Sequence, residues 1–101
     1  MTDTAVKTNI KEEIKIEEPS MYDVILLNDE FTTYDFVIKV LIKIFHKSNE
    51  QAVEITKHVH EKGSGVVGTY LYEIAEQKGI ETTVMARENG YPLQVKVQKH
   101  S

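Results

Sequence analysis

The pattern of apolar and polar residues is clearest over residues 21–41, where it predicts a strand followed by an amphipathic helix. Residues 24–27 form an unbroken apolar run that is too short for an isolated helix and is typical of a strand covered on both faces. Polar residues 28–30 end the run, Thr32 is then the expected N-cap, and Asp35 completes a T-x-x-D capping box. The helix that follows carries its apolar residues on one stripe, namely Phe36, Val37, Val40, Leu41, Ile44 and Phe45.

A second helix is predicted directly after the first. Ser48 and Gln51 form a capping box at its start, and the helix is expected to run to about Lys62. Gly63 suits the position just after a helix C-terminus, where a left-handed backbone is common. The expected buried face contains Ala52, Ile55 and Val59.

The remaining chain predicts a strand, a helix and a strand. Residues 66–75 are rich in β-branched and aromatic side chains, with Val66, Tyr70, Tyr72 and Ile74 on one side of a period-two pattern. Residues 76–89 indicate a helix of modest quality, on which Ile80 and Val84 share a face. Alternation of Leu93, Val95 and Val97 with polar residues predicts a third, half-exposed strand.

The order β-α-α-β-α-β predicts an α+β sandwich, with a three-stranded antiparallel sheet packed against three helices. Residues 1–19 alternate lysine and glutamate around isolated isoleucines, so we expect a flexible N-terminal extension before a folded domain at 20–101. With 101 residues, the chain has room for one small domain.

Composition excludes several classes of function. The chain has no cysteine, which removes disulfides and thiolate chemistry and fits a reducing cytoplasm. A net charge of −4 argues against nucleic acid as a partner. No apolar run approaches the roughly 20 residues that span a bilayer, so we expect no membrane partner.

Histidines and an acidic corner are the candidate chemistry. His58 and His60 form an H-x-H pair, but residues two apart on a helix point in different directions, so we expect no metal site and no cofactor. No serine stands in a nucleophile motif, so an enzyme is not expected. Asn28, Asp29 and Thr32 could simply build a turn and cap the helix. Alternatively, the two helices and this corner could enclose a small apolar pocket with Asn28, Asp29 and His60 at its mouth.

Five sequence blocks, in order over about eighty residues, closely resemble the ClpS family. They run from Pro19 to Leu93 and read P-S-M-Y-x-V-I-L-L-N-D-E-F-T, F-V-I-x-V-L, A-x-x-I-x-x-x-V-H-x-x-G, G-T-Y-x-x-E-I-A-E-x-K and A-R-E-N-x-x-P-L. The resemblance extends to about Lys99. It implies a non-catalytic adaptor that binds the first residue of N-degron substrates and delivers them to a ClpA- or ClpC-type AAA+ unfoldase for degradation by ClpP.

The resemblance also implies roles for individual residues. The free α-amino group is bound by Asn28, Asp29 and His60, while Thr32 supports the corner. A bulky first side chain (Leu, Phe, Tyr or Trp) enters a hydrophobic pocket. Its implied walls are Thr32, Tyr34, Val37, Thr56, Val59 and Leu93.

Two positions in that pocket depart from the family pattern, because Tyr34 and Thr56 stand where methionine is common. Tyrosine is rigid and threonine is short, so the breadth of the pocket and its preferred residue stay open. Glu73 and Lys78 match the surface that contacts the unfoldase N-terminal domain, although by sequence alone they are equally surface charges. An alternative function is a regulatory module that binds the unfoldase without recognising N-degrons.

Overall fold

A computed structural model describes residues 19–101, which form six elements around one sheet. In chain order these are β1 (Met21–Leu27), α1 (Tyr34–Lys43), α2 (Asn49–Lys62), β2 (Ser64–Leu71), α3 (Tyr72–Glu88) and β3 (Gln94–Lys99). The sheet is antiparallel with strand order β2-β1-β3. The predicted α+β fold is therefore confirmed, while the predicted extension lies outside the described residues except for Pro19. Within residues 19–101, each helix is too short or too polar to cross a membrane.

The central strand, β1, has one fully buried face. Val24 and Leu26 have no exposed surface, and they pair with Val97 and Val95 of β3 on the side that the helices cover. Ile25 is only partly buried, and the residues paired with it, Val66 and Lys96, are exposed. The expectation of a strand covered on both faces is thus wrong for the described part of the chain.

Helices α1 and α2 form a hairpin whose inner faces follow the predicted stripes. On α1 the buried residues are Phe36, Val37, Val40 and Leu41. On α2, Ala52 and Val59 are buried as expected, whereas Ile55 is partly exposed and Thr56 is buried instead. The predicted capping box at Ser48 is present.

The N-cap of α1 differs from the prediction by one residue. Thr33, not Thr32, accepts a hydrogen bond from the backbone N–H of Phe36, at 3.2 Å. The hydroxyl of Thr32 instead donates to Asp29 at 2.6 Å, which fixes it to the preceding corner. The helix therefore begins at Tyr34, and the expected box with Asp35 is not formed.

The boundary between β2 and α3 also differs from the prediction. The strand ends at Leu71, and Tyr72 begins a helix that absorbs residues 72–75 of the predicted strand. The hydroxyl of Tyr72 donates to Glu76 at 2.6 Å, and its ring packs edge-on against Tyr22 with ring centroids 5.0 Å apart. A contact between residues four apart is typical of a helix. The preference of these aromatic and β-branched residues for a strand is therefore overridden by their contacts in the folded protein.

The face of α3 that packs on the sheet carries small residues. These are Ala75, Gly79, Thr82 and Ala86, all buried. Ile80 and Val84 share a face as predicted, but that face is exposed rather than part of the core.

Candidate functional site

The ends of β1 and α2 meet at one corner of the fold. The backbone N–H of Asn28 donates to the carbonyl of Gly63 at 2.8 Å. Gly63 ends α2 with a φ of 89°, a left-handed conformation that favours glycine. Because His60 lies about one turn before Gly63, this bond brings an imidazole close to the polar residues that follow β1.

Asp29 organises the corner by accepting three hydrogen bonds. Its Oδ1 accepts from the backbone N–H groups of Phe31 and Thr32 at 2.8 and 2.7 Å. Its Oδ2 accepts from the hydroxyl of Thr32 at 2.6 Å. Since a carboxylate offers about four lone-pair directions, one on Oδ2 is left for another donor.

The same contacts keep the Asp29 carboxyl ionised. Partial burial raises its pKa, but hydrogen bonds from the Thr32 hydroxyl and from the backbone of Thr32 and Phe31, together with the charge of Arg87, outweigh that effect. The pKa of Asp29 therefore lies below its ordinary value. At neutral pH the corner carries a fixed negative charge.

Beside this corner is a cavity lined by every residue predicted to bind an amino group or a first side chain. Asn28, Asp29 and His60 supply polar groups, and Leu27, which the sequence analysis did not single out, adds apolar surface as the last residue of β1. The complete lining is Leu27, Asn28, Asp29, Thr32, Tyr34, Val37, Thr56, Val59, His60 and Leu93.

The apolar walls are part of the core. Val37, Val59 and Leu93 are 7%, 4% and 1% exposed, so their positions are fixed by packing. The Arg87 guanidinium donates to the carbonyl of Leu93 at 2.8 Å, which holds the turn before β3. On α2, the hydroxyl of Thr56 is satisfied within its own helix by the carbonyl of Ala52, at 2.7 Å.

The cavity is small, and Tyr34 lines it beside His60. Its volume is about 20 Å³, measured as the space open to the centre of a water-sized sphere, which is room for about one water molecule. The ring of Tyr34 packs edge-on against the imidazole of His60, with ring centroids 5.2 Å apart. Tyr34 is nevertheless 44% exposed, so its side chain has room to move outward.

The two histidines of the H-x-H pair are directed to different places. His60 lines the cavity, whereas the ring of His58 lies over Gly65 of β2, 3.0 Å from where a Cβ atom would stand. Among residues 19–101 no group of three or more potential metal ligands is found.

The residues that match an unfoldase contact occupy different settings on α3. Glu73 is exposed in the first turn. Lys78 is partly buried: its ammonium donates to the carbonyl of Ile44 at 2.7 Å and lies over the rings of Phe45 and Tyr70. Lys78 therefore holds the end of α1 in addition to any role at a surface.

Comparisons with known proteins identify the family. The model of the family described as "ATP-dependent Clp protease adaptor protein ClpS" matches residues 17–96. The ClpS adapter of Clostridium acetobutylicum is 49% identical over 92 residues, which cover 91% of each chain. That of Nautilia profundicola is 45% identical over 93 residues, covering 92% of this chain and 96% of the relative.

A solved structure shares the fold. It is Agrobacterium tumefaciens ClpS2 bound to L-phenylalaninamide, which is 35% identical with a TM-score of 0.80, covering 82% of this chain and the whole of the other. Clp protease adaptors are non-catalytic and work with a Clp ATPase. The protein belongs to the ClpS family of adaptors of the ATP-dependent Clp protease.

Proposed function

We propose that this adaptor binds the free α-amino group and the bulky apolar first side chain of N-degron substrates in the cavity at the end of β1. The observation that carries the proposal is the arrangement of the cavity itself. An ionised carboxylate, an amide and an imidazole stand beside buried apolar walls in one small space. This combination suits a cation joined to a hydrophobic group.

The charge of the corner favours a chain terminus over an internal segment. A free α-amino group is mostly protonated at neutral pH and offers three donors. Asp29 supplies a negative charge with one free acceptor direction, and Asn28 and His60 supply two further acceptors. An internal peptide N–H is neutral and offers a single donor, so it would leave these acceptors unpaired.

Entry of the first side chain requires Tyr34 to swing outward, because a space for one water cannot hold a leucine or phenylalanine side chain. The half-exposed position of Tyr34 makes this a side-chain rotation without movement of α1. Burial of one large apolar side chain contributes roughly 1.5–3 kcal/mol, which suits a substrate that must later be released. The solved relative bound to L-phenylalaninamide is consistent with this ligand class.

Delivery follows from the same proposal. The Clp ATPase partner is of the ClpA or ClpC type, and the adaptor contacts its N-terminal domain through a surface that includes Glu73. Lys78 lies five positions further along α3, about 140° around the helix axis. The proposed contact nevertheless includes both charges.

The deciding experiment is fluorescence anisotropy of labelled peptides that begin with Leu, Phe, Tyr or Trp, each beside an N-acetylated twin. Binding of the free peptides that is lost on acetylation and in Asp29→Asn supports the proposal. Asp35→Asn is the matched control, since it removes one exposed carboxylate from the first turn of α1 and lies outside the cavity. Equal binding of free and acetylated peptides would refute it.

The narrow cavity favours a second candidate function. If Tyr34 stays against His60, the adaptor would regulate the Clp ATPase without recognising N-degrons. Wild-type protein would then bind neither peptide of each pair, yet would still bind the ATPase. Retained ATPase binding with no peptide binding selects this alternative.

A further inference from the structure

A second hollow adjoins the cavity at the polar corner. The two spaces share Leu27, Asn28 and Asp29 as lining residues, so they are direct neighbours. The volume of the hollow is about 390 Å³ on the same measure, against about 20 Å³ for the cavity. A chain end that is bound at the corner would therefore have a much larger space beside it.

Phe31 lines this hollow and is unusually exposed for an aromatic residue. Its side chain is 72% exposed, the highest value among the large apolar side chains at the surface of residues 19–101. Its backbone N–H nevertheless donates to Oδ1 of Asp29 at 2.8 Å. The ring is therefore presented to solvent from a position fixed by the same carboxylate that is proposed to bind the α-amino group.

Pro92 is a second apolar residue of the hollow, in the turn between α3 and β3. It is exposed, but it stands between Tyr91 and Leu93, whose carbonyls both accept hydrogen bonds from Arg87, at 2.9 and 2.8 Å. Its own ring also restricts its φ angle. Phe31 and Pro92 thus offer two rings on fixed main chain, and a surface that is already ordered loses little entropy when a ligand binds.

The spacing of a peptide chain determines which group of a substrate reaches the hollow. Consecutive Cα atoms are about 3.8 Å apart, and successive side chains of an extended segment point to opposite sides. If the first side chain enters the cavity, the second side chain points away from it, while the second residue stays beside Asn28 and Asp29. The hollow is the space that adjoins these two residues on leaving the cavity.

We propose that this hollow is a subsite for the second residue of the substrate, and that Phe31 and Pro92 bind a bulky apolar side chain there. The inference rests on the proposed binding of the chain end at the corner. A large apolar side chain would cover the exposed ring of Phe31, and an aromatic one would add a favourable ring contact to the burial of apolar surface. Phe31 is then a specificity-determining residue that lies outside the cavity for the first side chain.

The test varies the second residue of the peptide while the first stays constant. Labelled peptides that begin Phe-Ala, Phe-Leu and Phe-Trp are titrated by fluorescence anisotropy, each beside an N-acetylated twin. We expect Phe-Trp to bind about 3- to 10-fold more tightly than Phe-Ala, with Phe-Leu between them. In Phe31→Ala this preference should almost disappear, while the affinity for Phe-Ala stays close to that of wild type.

The variants are chosen to leave the corner intact. Phe31→Ala shortens an exposed side chain and keeps the backbone N–H that donates to Asp29. Phe31→Tyr keeps the ring and should keep the preference. Tyr72→Ala, at a 48% exposed aromatic residue that lines neither space, is the matched control and should leave the preference unchanged.

Two results would overturn the subsite and leave the proposed function standing. One is equal affinity for the free Phe-Ala and Phe-Trp peptides. The other is tighter binding of a Phe-Arg peptide than of Phe-Trp that is lost in Glu30→Gln, because the occupant would then be a cation paired with a carboxylate of the hollow. Absence of binding by every free peptide, or binding that acetylation does not change, would refute the proposed function and the subsite with it.

Discussion

The ring of Tyr34 packs edge-on against His60 at a centroid distance of 5.2 Å, so one residue of the cavity lining contacts one of the proposed acceptors. We expect Tyr34→Ala to strengthen binding of peptides that begin with Phe or Trp, because no ring must be displaced. A gain of about 3- to 10-fold, or about 1 kcal/mol, is reasonable for removal of one side-chain rearrangement. Anisotropy titration measures it. Tyr72→Ala, at another half-exposed tyrosine, should have no effect, and a loss of binding in Tyr34→Ala would show that the ring is a wall.

Loss of the His60 acceptor should weaken binding. The imidazole of His60 lines the cavity and offers a ring-nitrogen acceptor to the ammonium group of the substrate. We expect His60→Phe, which keeps a ring beside Tyr34 but has no acceptor, to weaken binding of free peptides several-fold in anisotropy titration. His58→Phe, two residues away and over β2, should leave binding unchanged. Equal affinity in wild type and His60→Phe would contradict the role of His60.

Asp23 on β1 should make the free energy of unfolding depend on pH in the acidic range. The hydroxyl of Thr69 donates to Asp23 at 2.7 Å, and this bond, opposed by burial and aided by His100, lowers the pKa of Asp23 from its ordinary 3.8. A lowered pKa contributes stability above that ordinary value, and the contribution is lost as pH falls through the folded-state pKa. Asp23→Asn should reduce both stability at neutral pH and its loss in acid, as measured by urea unfolding.

The control for this prediction is Glu54→Gln, which removes an exposed carboxylate from α2. It should leave the acid dependence of unfolding almost unchanged. An Asp23→Asn variant with the full wild-type loss in acid would show that other groups dominate.

Lys78 should contribute to the free energy of unfolding in addition to carrying a charge at the surface. Lys78→Met keeps an apolar stem over Phe45 and Tyr70 but removes the donor to the carbonyl of Ile44. We expect a cost of about 1 kcal/mol, the size of a partly solvated hydrogen bond. Lys57→Met, at an exposed position on α2, should cost little. If both variants unfold at the wild-type urea concentration, the contact contributes nothing to stability.

The same substitution should have opposite effects at two glycines. Gly63→Ala forces a left-handed backbone on a residue with a Cβ atom, at a cost of about 1–2 kcal/mol, since nothing nearby clashes. Gly79→Ala meets only ordinary contacts and improves helix propensity, so it should stabilise by about 0.5–1 kcal/mol. Thermal unfolding measures both, and equal signs would refute the argument.

The helix hairpin could be predicted from sequence because its apolar spacing and capping residues agree with each other. The start of α3 could not, because Tyr72 and Ile74 continue the period-two pattern of β2 while their place in a helix depends on the contact with Tyr22. The core face of α3 was also not predicted. Its residues Ala75 and Gly79 pack on the sheet because they are small, and small residues do not form a recognisable apolar stripe in the sequence.

All residues around the cavity except Leu27 were predicted from the family motifs, and the structure brings them together. Its small volume and the contact between Tyr34 and His60 were not predicted, because both depend on side-chain packing that the motifs do not specify. Spacing alone also misplaced the N-cap, since Thr32 and Thr33 differ only in whether the hydroxyl meets Asp29 or the helix.

The bond from the Asn28 N–H to the Gly63 carbonyl joins the two halves of the site through main-chain atoms. Substitution of the side chain at Tyr34 or Thr56 leaves this main-chain hydrogen bond in place. The walls of the cavity are therefore free to diverge in sequence while the polar corner keeps its shape. The first side chain that fits the cavity can therefore change during evolution while the corner proposed to bind the α-amino group keeps its structure.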